Sequence, residues 1–137
     1  MTLITSHLAL GHARDPSLFA KDLDAVLCCA AEVPLYPGKP GLHLRLQDGA
    51  PVDATLLEQA FAFLDERMAQ GHFTLVYCGH GTSRSVSILC GYLALRQNTP
   101  PHNILTAVRR LRPEASPSAL TFQSVERYVS IVLGIGG

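Results

Sequence analysis

The sequence predicts an α/β fold in which a central, mostly parallel sheet is flanked by helices. Two observations support this prediction. Short apolar runs fit strands that are buried on both faces, and longer segments between and after them carry apolar residues at helical spacing. Strands and helices that alternate along a chain favour a parallel sheet covered by helices. A chain of 137 residues has the length of one domain, so we assign residues 1–137 to a single domain.

Two strands are predicted in the first third of the chain. Residues 24–31 (DAVLCCAA) are almost uniformly apolar, which is typical of a strand buried on both faces. In residues 42–46 (LHLRL), leucines alternate with polar residues, which predicts a half-exposed strand. Asp48 and Gly49 follow this strand and indicate a turn.

A helix, a strand and three further helices are predicted after this turn. The first helix runs from Asp53, its expected N-cap, to Gly71, and residues 73–77 form the next buried strand. Helices then follow at about residues 85–97, 103–111 and 119–133. The apolar stripe of the first helix is expected to be Leu57, Ala60, Phe61, Leu64 and Met68, and that of the last helix Phe122, Val125, Val129 and Val132.

Composition argues against several classes of function. The 11 basic residues balance the 11 acidic ones, whereas a nucleic-acid-binding protein normally carries a basic excess. The longest apolar stretch, residues 86–95, is interrupted by Ser87 and Gly91 and is too short to cross a bilayer. Residues 1–15 lack the basic start and long apolar run of a signal peptide. We therefore expect neither a nucleic-acid partner nor a membrane partner.

Cysteine and histidine usage predicts a metal-free protein of a reducing compartment. Four cysteines in a chain of this size do not make a disulfide scaffold, and they lack the paired C-x-x-C spacing of a zinc site. The expected location is the cytoplasm, with no cofactor. Cys29 and Cys90 are most simply core residues. Five histidines show no ligand spacing and are expected at the surface: His7, His12, His43, His72 and His102.

The segment Cys78–Ser85 (CGHGTSRS) joins the strand at 73–77 to the following helix and has the composition of a phosphate-binding loop. Such a loop can turn its backbone N–H groups inward around an anion, and the helix adds its positive end. Gly79 and Gly81 permit the sharp turns. Arg84 offers a planar fork of donors for two phosphate oxygens, and the same positive environment favours a thiolate at Cys78.

These features assign a role to each residue of the loop. Cys78 is the expected nucleophile, and Ser85 places a hydroxyl where it can hydrogen-bond the thiolate. A buried cysteine beside an ordinary turn would not explain two glycines and an arginine at the helix start. The expected phosphate-binding residues are Gly79, His80, Gly81, Thr82, Ser83 and Arg84.

The pattern Cys78-x-x-Gly81-x-x-Arg84-Ser85 resembles the active-site loop of the protein tyrosine phosphatase superfamily, and the chain around it resembles the dual-specificity branch. The resemblance covers about residues 3–128. It implies a single phosphatase catalytic domain, a central sheet with helices on both sides, and a two-step reaction through a cysteinyl-phosphate without a metal. Further matching segments are residues 26–27, 30–32, 91–93 (GYL), 107–113 (AVRRLRP), Pro117 and 122–123.

The family also uses an aspartate upstream of the cysteine strand to protonate the leaving oxygen. Asp48 falls where the resemblance places this acid, and it would act as a base toward water in the second step. The simpler interpretation is that Asp48 and Gly49 only form a turn. Asp53 is the second candidate, although its position before the helix fits a cap better.

Three positions depart from the family pattern. Tyr77 replaces the histidine that usually precedes the nucleophile and helps to keep the thiolate ionised, so slower turnover is expected. Ser118 follows Pro117 where the family has asparagine, which predicts the loss of a hydrogen bond that braces the loop. Cys28 stands in place of an asparagine in the first flanking strand.

The variable loop positions predict the substrate. They carry no lysine, whereas relatives that act on phosphoinositides place lysines here, so phosphorylated proteins or peptides are the expected substrates. Phosphotyrosine is favoured, with phosphoserine and phosphothreonine as further substrates. His80 either contacts substrate or lies free in solvent. The cluster Arg109, Arg110 and Arg112 is interpreted as a solvated helix face, with recruitment of an acidic peptide as the alternative.

Two other functions remain open at this stage. A rhodanese-type sulfurtransferase also uses a cysteine in a loop between a strand and a helix, but it would not need Asp48. A pseudophosphatase would bind phosphorylated partners without turnover, and Tyr77 is its only support. Separately, either Cys28 or Cys29 is a candidate to trap an oxidised Cys78 as a disulfide, the alternative being that both are packing residues.

Overall fold

The computed structural model describes residues 1–134 and contains within them a five-stranded sheet in the order β1-β2-β5-β3-β4. Three neighbouring pairs, β2–β5, β5–β3 and β3–β4, are parallel, and β1 pairs antiparallel with β2. The mostly parallel sheet predicted from the sequence is therefore confirmed. The strands are β1 (Thr2–Leu3), β2 (Leu8–Gly11), β3 (Ala25–Cys28), β4 (Gly41–His43) and β5 (Thr74–Tyr77).

Five helices are present in the same part of the chain. The third packs directly against β5 and β2, and the second, fourth and fifth pack around it. None of the helices in residues 1–134 combines the length and the apolar character needed to span a bilayer. The helices are α1 (Asp15–Leu18), α2 (Ala54–Ala69), α3 (Arg84–Gln97), α4 (Pro101–Leu111) and α5 (Ala119–Leu133).

Strand β5 lies at the middle of the sheet, and every one of its residues is buried. The apolar runs of β2, β3 and β5 are buried along their whole length, as expected for parallel strands covered on both faces. Because parallel strands end at the same edge of a sheet, the loops after β2 and β3 flank the loop after β5. This edge is where the topology of an α/β sheet places a ligand site.

Helix α3 is buried over most of its length, and its close approach to α5 depends on Gly91. A Cβ atom at Gly91 would lie 2.5 Å from Cγ1 of Val125 and 3.0 Å from the ring of Phe61. Real carbon atoms do not approach so closely, so a larger residue would push α5 away from α3. Since α3 begins where the loop after β5 ends, this packing fixes the direction in which the amino terminus of α3 points.

The long helices were predicted correctly, including the N-cap of α2, where the Asp53 carboxylate accepts a hydrogen bond of 2.8 Å from the backbone N–H of Thr55. The two predicted strands of the first third are shorter than expected and end at Cys28 and His43. Val132 was predicted to share the buried face of α5 and is 53% exposed, because the next residue, Leu133, takes the position that faces the core.

Candidate active site

The loop between β5 and α3 is held by backbone hydrogen bonds from the segments on either side of it. The N–H of Ala13, after β2, donates to the carbonyl of Gly79 at 3.1 Å. The N–H of Ser116, before α5, donates to the carbonyl of Thr82 at 2.7 Å. Because these loop carbonyls are bound outside the loop, its own N–H groups remain available to line an anion site.

Gly81 makes the tight turn of the loop possible. It has a φ of +72°, in the left-handed region that side chains other than glycine rarely adopt. A Cβ atom there would also collide with the backbone carbonyl of Gly11 on the neighbouring strand. The glycine is therefore required by both the backbone conformation and the close approach of β2.

The thiol of Cys78 lies at the start of this loop and shares a hydrogen bond of 3.2 Å with the hydroxyl of Ser85. Both residues are buried, and Ser85 belongs to the first turn of α3. The sulfur therefore lies beside a hydroxyl group and at the positive end of a helix. The structure therefore brings Cys78 and Ser85 within hydrogen-bond distance, as expected from the sequence.

The guanidinium of Arg84 is held in place by Glu32, which lies in the loop after β3. The two Glu32 oxygens accept bonds of 2.6 and 2.5 Å from Nη1 and Nη2, and the carbonyl of Leu46 accepts a third at 3.1 Å from Nη1. The hydrogen bonds and charge of Arg84 lower the pKa of Glu32 to about 2. Of the five N–H groups of the guanidinium, Nε–H and one Nη2–H stay free of these partners and form the parallel pair that suits two phosphate oxygens.

Sequence reasoning did not identify Glu32 as a site residue, although the residue stood within a matched segment. The available signal was a single acidic residue that directly follows a buried strand, at the edge where all parallel strands end. The bidentate contact depends on the spacing between two loops, and no local pattern in the chain encodes that spacing.

The carboxylate of Asp48 reaches the same loop and accepts two short hydrogen bonds. The hydroxyls of Ser83 and Ser118 each donate to its Oδ1 at 2.6 Å. Partial burial alone would raise the pKa of Asp48, but the bonds from Ser118 and Ser83 and the charge of Arg84 outweigh it and lower the pKa below its usual value. The structure therefore brings Asp48 to the loop in its ionised, hydrogen-bonded form, whereas Asp53 caps α2.

Ser118 braces the loop, contrary to the prediction that a serine here would lose this hydrogen bond. Its backbone N–H donates to the Ser83 hydroxyl at 2.9 Å, and the two hydroxyls lie 3.1 Å apart. A shorter side chain suffices because the amino terminus of α5 itself lies within hydrogen-bond distance of the loop. The same residue therefore connects α5, the loop and Asp48.

The segment after Asp48 is also anchored to α5. The hydroxyl of Thr121 donates to the carbonyl of Ala50 at 2.8 Å, and the backbone N–H of Val52 donates to the hydroxyl of Ser124 at 2.8 Å. Together with Ser118, these side chains hold residues 48–52 along the first two turns of the helix. The position of Asp48 is therefore set by α5 together with Ser83 of the loop.

Tyr77, the residue in the place of the family's histidine, supports a different part of the site. Its hydroxyl donates to the carbonyl of Pro34 at 3.1 Å and accepts a bond of 2.9 Å from the N–H of Tyr36. Burial raises the pKa of the Tyr77 phenol well above its usual value, so the group stays neutral. Tyr77 thus braces the loop after β3, which also carries Glu32.

The interpretation of the arginine cluster as a solvated helix face holds for Arg109 and Arg110 and is wrong for Arg112. Arg112 is only 6% exposed, since its guanidinium turns inward behind the phosphate-binding loop. It donates to the carbonyls of Gly81 at 2.7 Å and His80 at 3.3 Å, and to the hydroxyl of Thr2 at 2.7 Å. Arg112 therefore stabilises the back of the loop.

The remaining cysteines and histidines lie largely as expected. Cys28, Cys29 and Cys90 are buried and free, and burial raises the pKa of each thiol. Within residues 1–134, no group of histidine, cysteine and acidic side chains is arranged to hold a metal ion. Of the histidines outside the loop, His7 and His102 are exposed, while three are half-buried: His12, His43 and His72.

Comparison with known proteins agrees with this geometry. Residues 10–129 match the family model described as "Dual specificity phosphatase, catalytic domain". The human dual specificity protein phosphatase 12 is 30% identical over 100 residues, covering 68% of this chain and 29% of that protein. Dual specificity protein phosphatase 1 of Arabidopsis thaliana is 39% identical over 62 residues, covering 45% of this chain and 31% of that protein. The chain thus spans less than a third of the length of either relative.

The fold is likewise similar to a solved structure. The crystal structure of human DUSP28 superposes with a TM-score of 0.86, covering 99% of this chain and 100% of that one at 22% sequence identity. The family model covers most of the chain, and the expected loop occupies the carboxyl-terminal edge of the sheet. The chain belongs to the dual specificity phosphatase family.

Proposed function

We propose that this protein is a cysteine-dependent phosphatase that hydrolyses phosphate monoesters on proteins through a cysteinyl-phosphate intermediate. The observation that carries the proposal is the convergence of three groups on one loop: the Cys78 thiol, the free side of the Arg84 guanidinium and the Asp48 carboxylate. A nucleophile, an anion clamp and a proton donor are the groups that phosphoryl transfer requires.

In the first step, the Cys78 thiolate attacks phosphorus, and the bond between phosphorus and the ester oxygen breaks. Asp48, protonated before this step, gives its proton to the leaving oxygen. The loop N–H groups, Nε–H and the free Nη2–H of Arg84 bind the non-bridging oxygens, while Glu32 keeps the guanidinium oriented. Ser85 donates to the sulfur and stabilises it as an anion.

In the second step, water attacks the phosphorus of the cysteinyl-phosphate. The Asp48 carboxylate takes a proton from this water, the bond between sulfur and phosphorus breaks, and inorganic phosphate leaves with Cys78 restored as a thiolate. The hydroxyls of Ser83 and Ser118 favour the ionised carboxylate and therefore favour this step.

The proposed substrates are phosphotyrosine residues of proteins, together with phosphoserine and phosphothreonine. No lysine lines the loop to meet the additional phosphates of an inositol lipid. Quenching turnover of a ³²P-labelled phosphotyrosyl peptide with alkaline detergent tests the proposal, because the sulfur–phosphorus bond of a cysteinyl-phosphate is labile in acid but survives in alkali, so the label is detected on the chain. Vanadate binding without hydrolysis or labelling would leave a phosphate-binding module instead, and transfer of sulfur from thiosulfate to cyanide would indicate a sulfurtransferase.

Ser118→Ala is expected to move the alkaline side of the pH profile of kcat/KM to higher pH. Asp48 must be protonated for the first step, so the rate falls as the pH rises through its pKa. The mutation removes a donor that stabilises the ionised form and lowers this pKa, so the pKa rises and the fall begins at higher pH. Ser116→Ala, in the same segment, is the matched control. An unchanged profile in Ser118→Ala would contradict this role.

Tyr77→His is expected to increase the rate at which iodoacetate alkylates Cys78 at mildly acidic pH, since a nearby imidazolium stabilises a thiolate. Tyr77→Phe is the control, because it keeps the ring and removes only the hydroxyl that bonds Pro34 and Tyr36. Equal alkylation by wild type and Tyr77→His would show that the histidine is not needed to activate this thiol.

Cys29 is the better candidate for a cysteine that resolves oxidised Cys78. Cys28 is in register with Tyr77, and the N–H of Cys29 donates to the Tyr77 carbonyl at 2.7 Å, so Cys29 lies opposite Cys78 at a backbone separation of roughly 5 Å. Peroxide would convert Cys78 to a sulfenic acid, which the Cys29 thiol would attack with release of water. Activity should therefore recover with thiol reductant in wild type and Cys28→Ser but not in Cys29→Ser. Equal recovery in all three would leave Cys29 a packing role.

A further inference from the structure

An open concavity of about 580 Å³ is lined in part by Glu32, the residue that holds the Arg84 guanidinium. It is lined by residues 31–35, which follow β3, by His43 at the end of β4, and by Arg45, which follows β4. The proposed reaction does not use this space. It opens to solvent, so it can receive part of a substrate that is bound at the loop.

The concavity carries an unbalanced positive charge. Glu32 is the acidic group in its wall, but its carboxylate is already bound to both terminal nitrogens of Arg84. Arg45 is exposed and forms no ion pair among residues 1–134. The Nε2 atom of His43 donates to the carbonyl of Ala30 at 2.8 Å, which fixes the ring beside Arg45 in the same wall.

The backbone connects this wall directly to the phosphate clamp. Arg45 precedes Leu46, whose carbonyl accepts bonds from Arg84 Nη1 at 3.1 Å and from the N–H of Ala31 at 2.9 Å. An extended peptide advances about 3.3 Å per residue. Because Glu32 both lines the concavity and binds Arg84, we expect a side chain two or three residues from a phosphorylated residue to reach this wall while the phosphate lies in the loop.

We propose that the concavity lined by His43 and Arg45 is a subsite for an anionic side chain near the phosphorylated residue of the substrate. The inference rests on the proposed phosphatase function and extends it to a preferred substrate class, phosphopeptides with acidic flanks. The anion is the carboxylate of aspartate or glutamate, or a second phosphoresidue. Opposite charges across such an interface select partners and speed association.

The test compares three synthetic phosphotyrosyl peptides that are identical except at the positions two and three residues from the phosphotyrosine. These positions carry neutral residues in the first peptide, glutamates in the second and one phosphoserine in the third. In wild type we expect kcat/KM for both anionic peptides to exceed that for the neutral peptide by about fivefold to tenfold, and the ratio to fall as salt screens the charges. In Arg45→Glu this ratio should drop to one or below. Arg110→Glu, an equally exposed arginine on α4, is the matched control and should keep the wild-type ratio.

The same ratio in wild type and Arg45→Glu would overturn the subsite. A response to the phosphoserine peptide alone would assign it to a second phosphate, and a response to both would assign it to carboxylates as well. Peptide dissociation constants measured on a Cys78→Ser background give the ratio without turnover. Hydrolysis of para-nitrophenyl phosphate by wild type reports separately on the proposed function, since this substrate has no flanking residues.

Discussion

Cys78→Ser is expected to reduce hydrolysis of para-nitrophenyl phosphate to the background rate while vanadate binding stays measurable. A serine hydroxyl is a poor nucleophile here because an alcohol is far less acidic than a thiol and stays protonated where the sulfur would be an anion. The loop N–H groups and Arg84 remain, so the anion site persists. The measurements are initial rates and calorimetric titration with vanadate.

Arg84→Ala is the comparison variant for this experiment, because it should weaken both vanadate binding and turnover by removing the paired N–H contacts. Wild-type turnover by Cys78→Ser would refute the proposed nucleophile. If Cys78→Ser keeps its fold, as judged by circular dichroism, but no longer binds vanadate, the prediction that the anion site persists without the thiol is wrong.

Asp48→Asn is expected to lower kcat by about 10²- to 10⁴-fold with a phosphotyrosyl peptide, whose leaving oxygen needs a proton. The loss should shrink with an activated aryl phosphate, because its leaving group departs as a stable anion. The asparagine can still accept from Ser83 and Ser118, so the segment stays anchored.

Asp53→Asn is the control for Asp48, since both are aspartates in the same region but Asp53 caps α2. Its effect should appear in the free energy of unfolding, at most about 1 kcal/mol because asparagine is also a good cap, and not in kcat. A leaving-group-dependent defect in Asp53→Asn, with none in Asp48→Asn, would reverse the assignment.

The sequence predicted the parts of this site that lie next to one another in the chain. A strand, a glycine loop and a helix start are local features, so Cys78, Arg84 and Ser85 could be placed from residues 73–97 alone. The Asp53 N-cap of α2 and the apolar residues at helical spacing were equally local features of the sequence. By contrast, β1, β2 and α1 were not predicted, because their two to four residues do not belong to a longer apolar or alternating run, as those of β3, β4 and β5 do.

The contacts that the sequence did not predict join segments far apart in the chain. Glu32 meets Arg84 across 52 positions, and Arg112 meets Gly81 across 31. Arg112 was predicted on a solvated face because charged helix residues are usually exposed. Its hydrogen bonds to the loop bury the side chain instead. Ser118 likewise braces the loop because the amino terminus of α5 lies beside it. No pattern of side chains in the sequence indicates where that helix packs.

The anchoring of residues 48–52 to α5 makes the proposed acid catalysis depend on the local stability of that helix. Ser118, Thr121 and Ser124 act only while the first turns of α5 are folded. Proteins open locally at a lower free energy than they unfold globally. Each opening of α5 would remove the bonds from Ser118, Thr121 and Ser124 and leave Asp48 held only by Ser83, while the Cys78 loop stays attached to the sheet. On heating, the protein should therefore lose the ability to expel poor leaving groups before it loses the ability to bind phosphate.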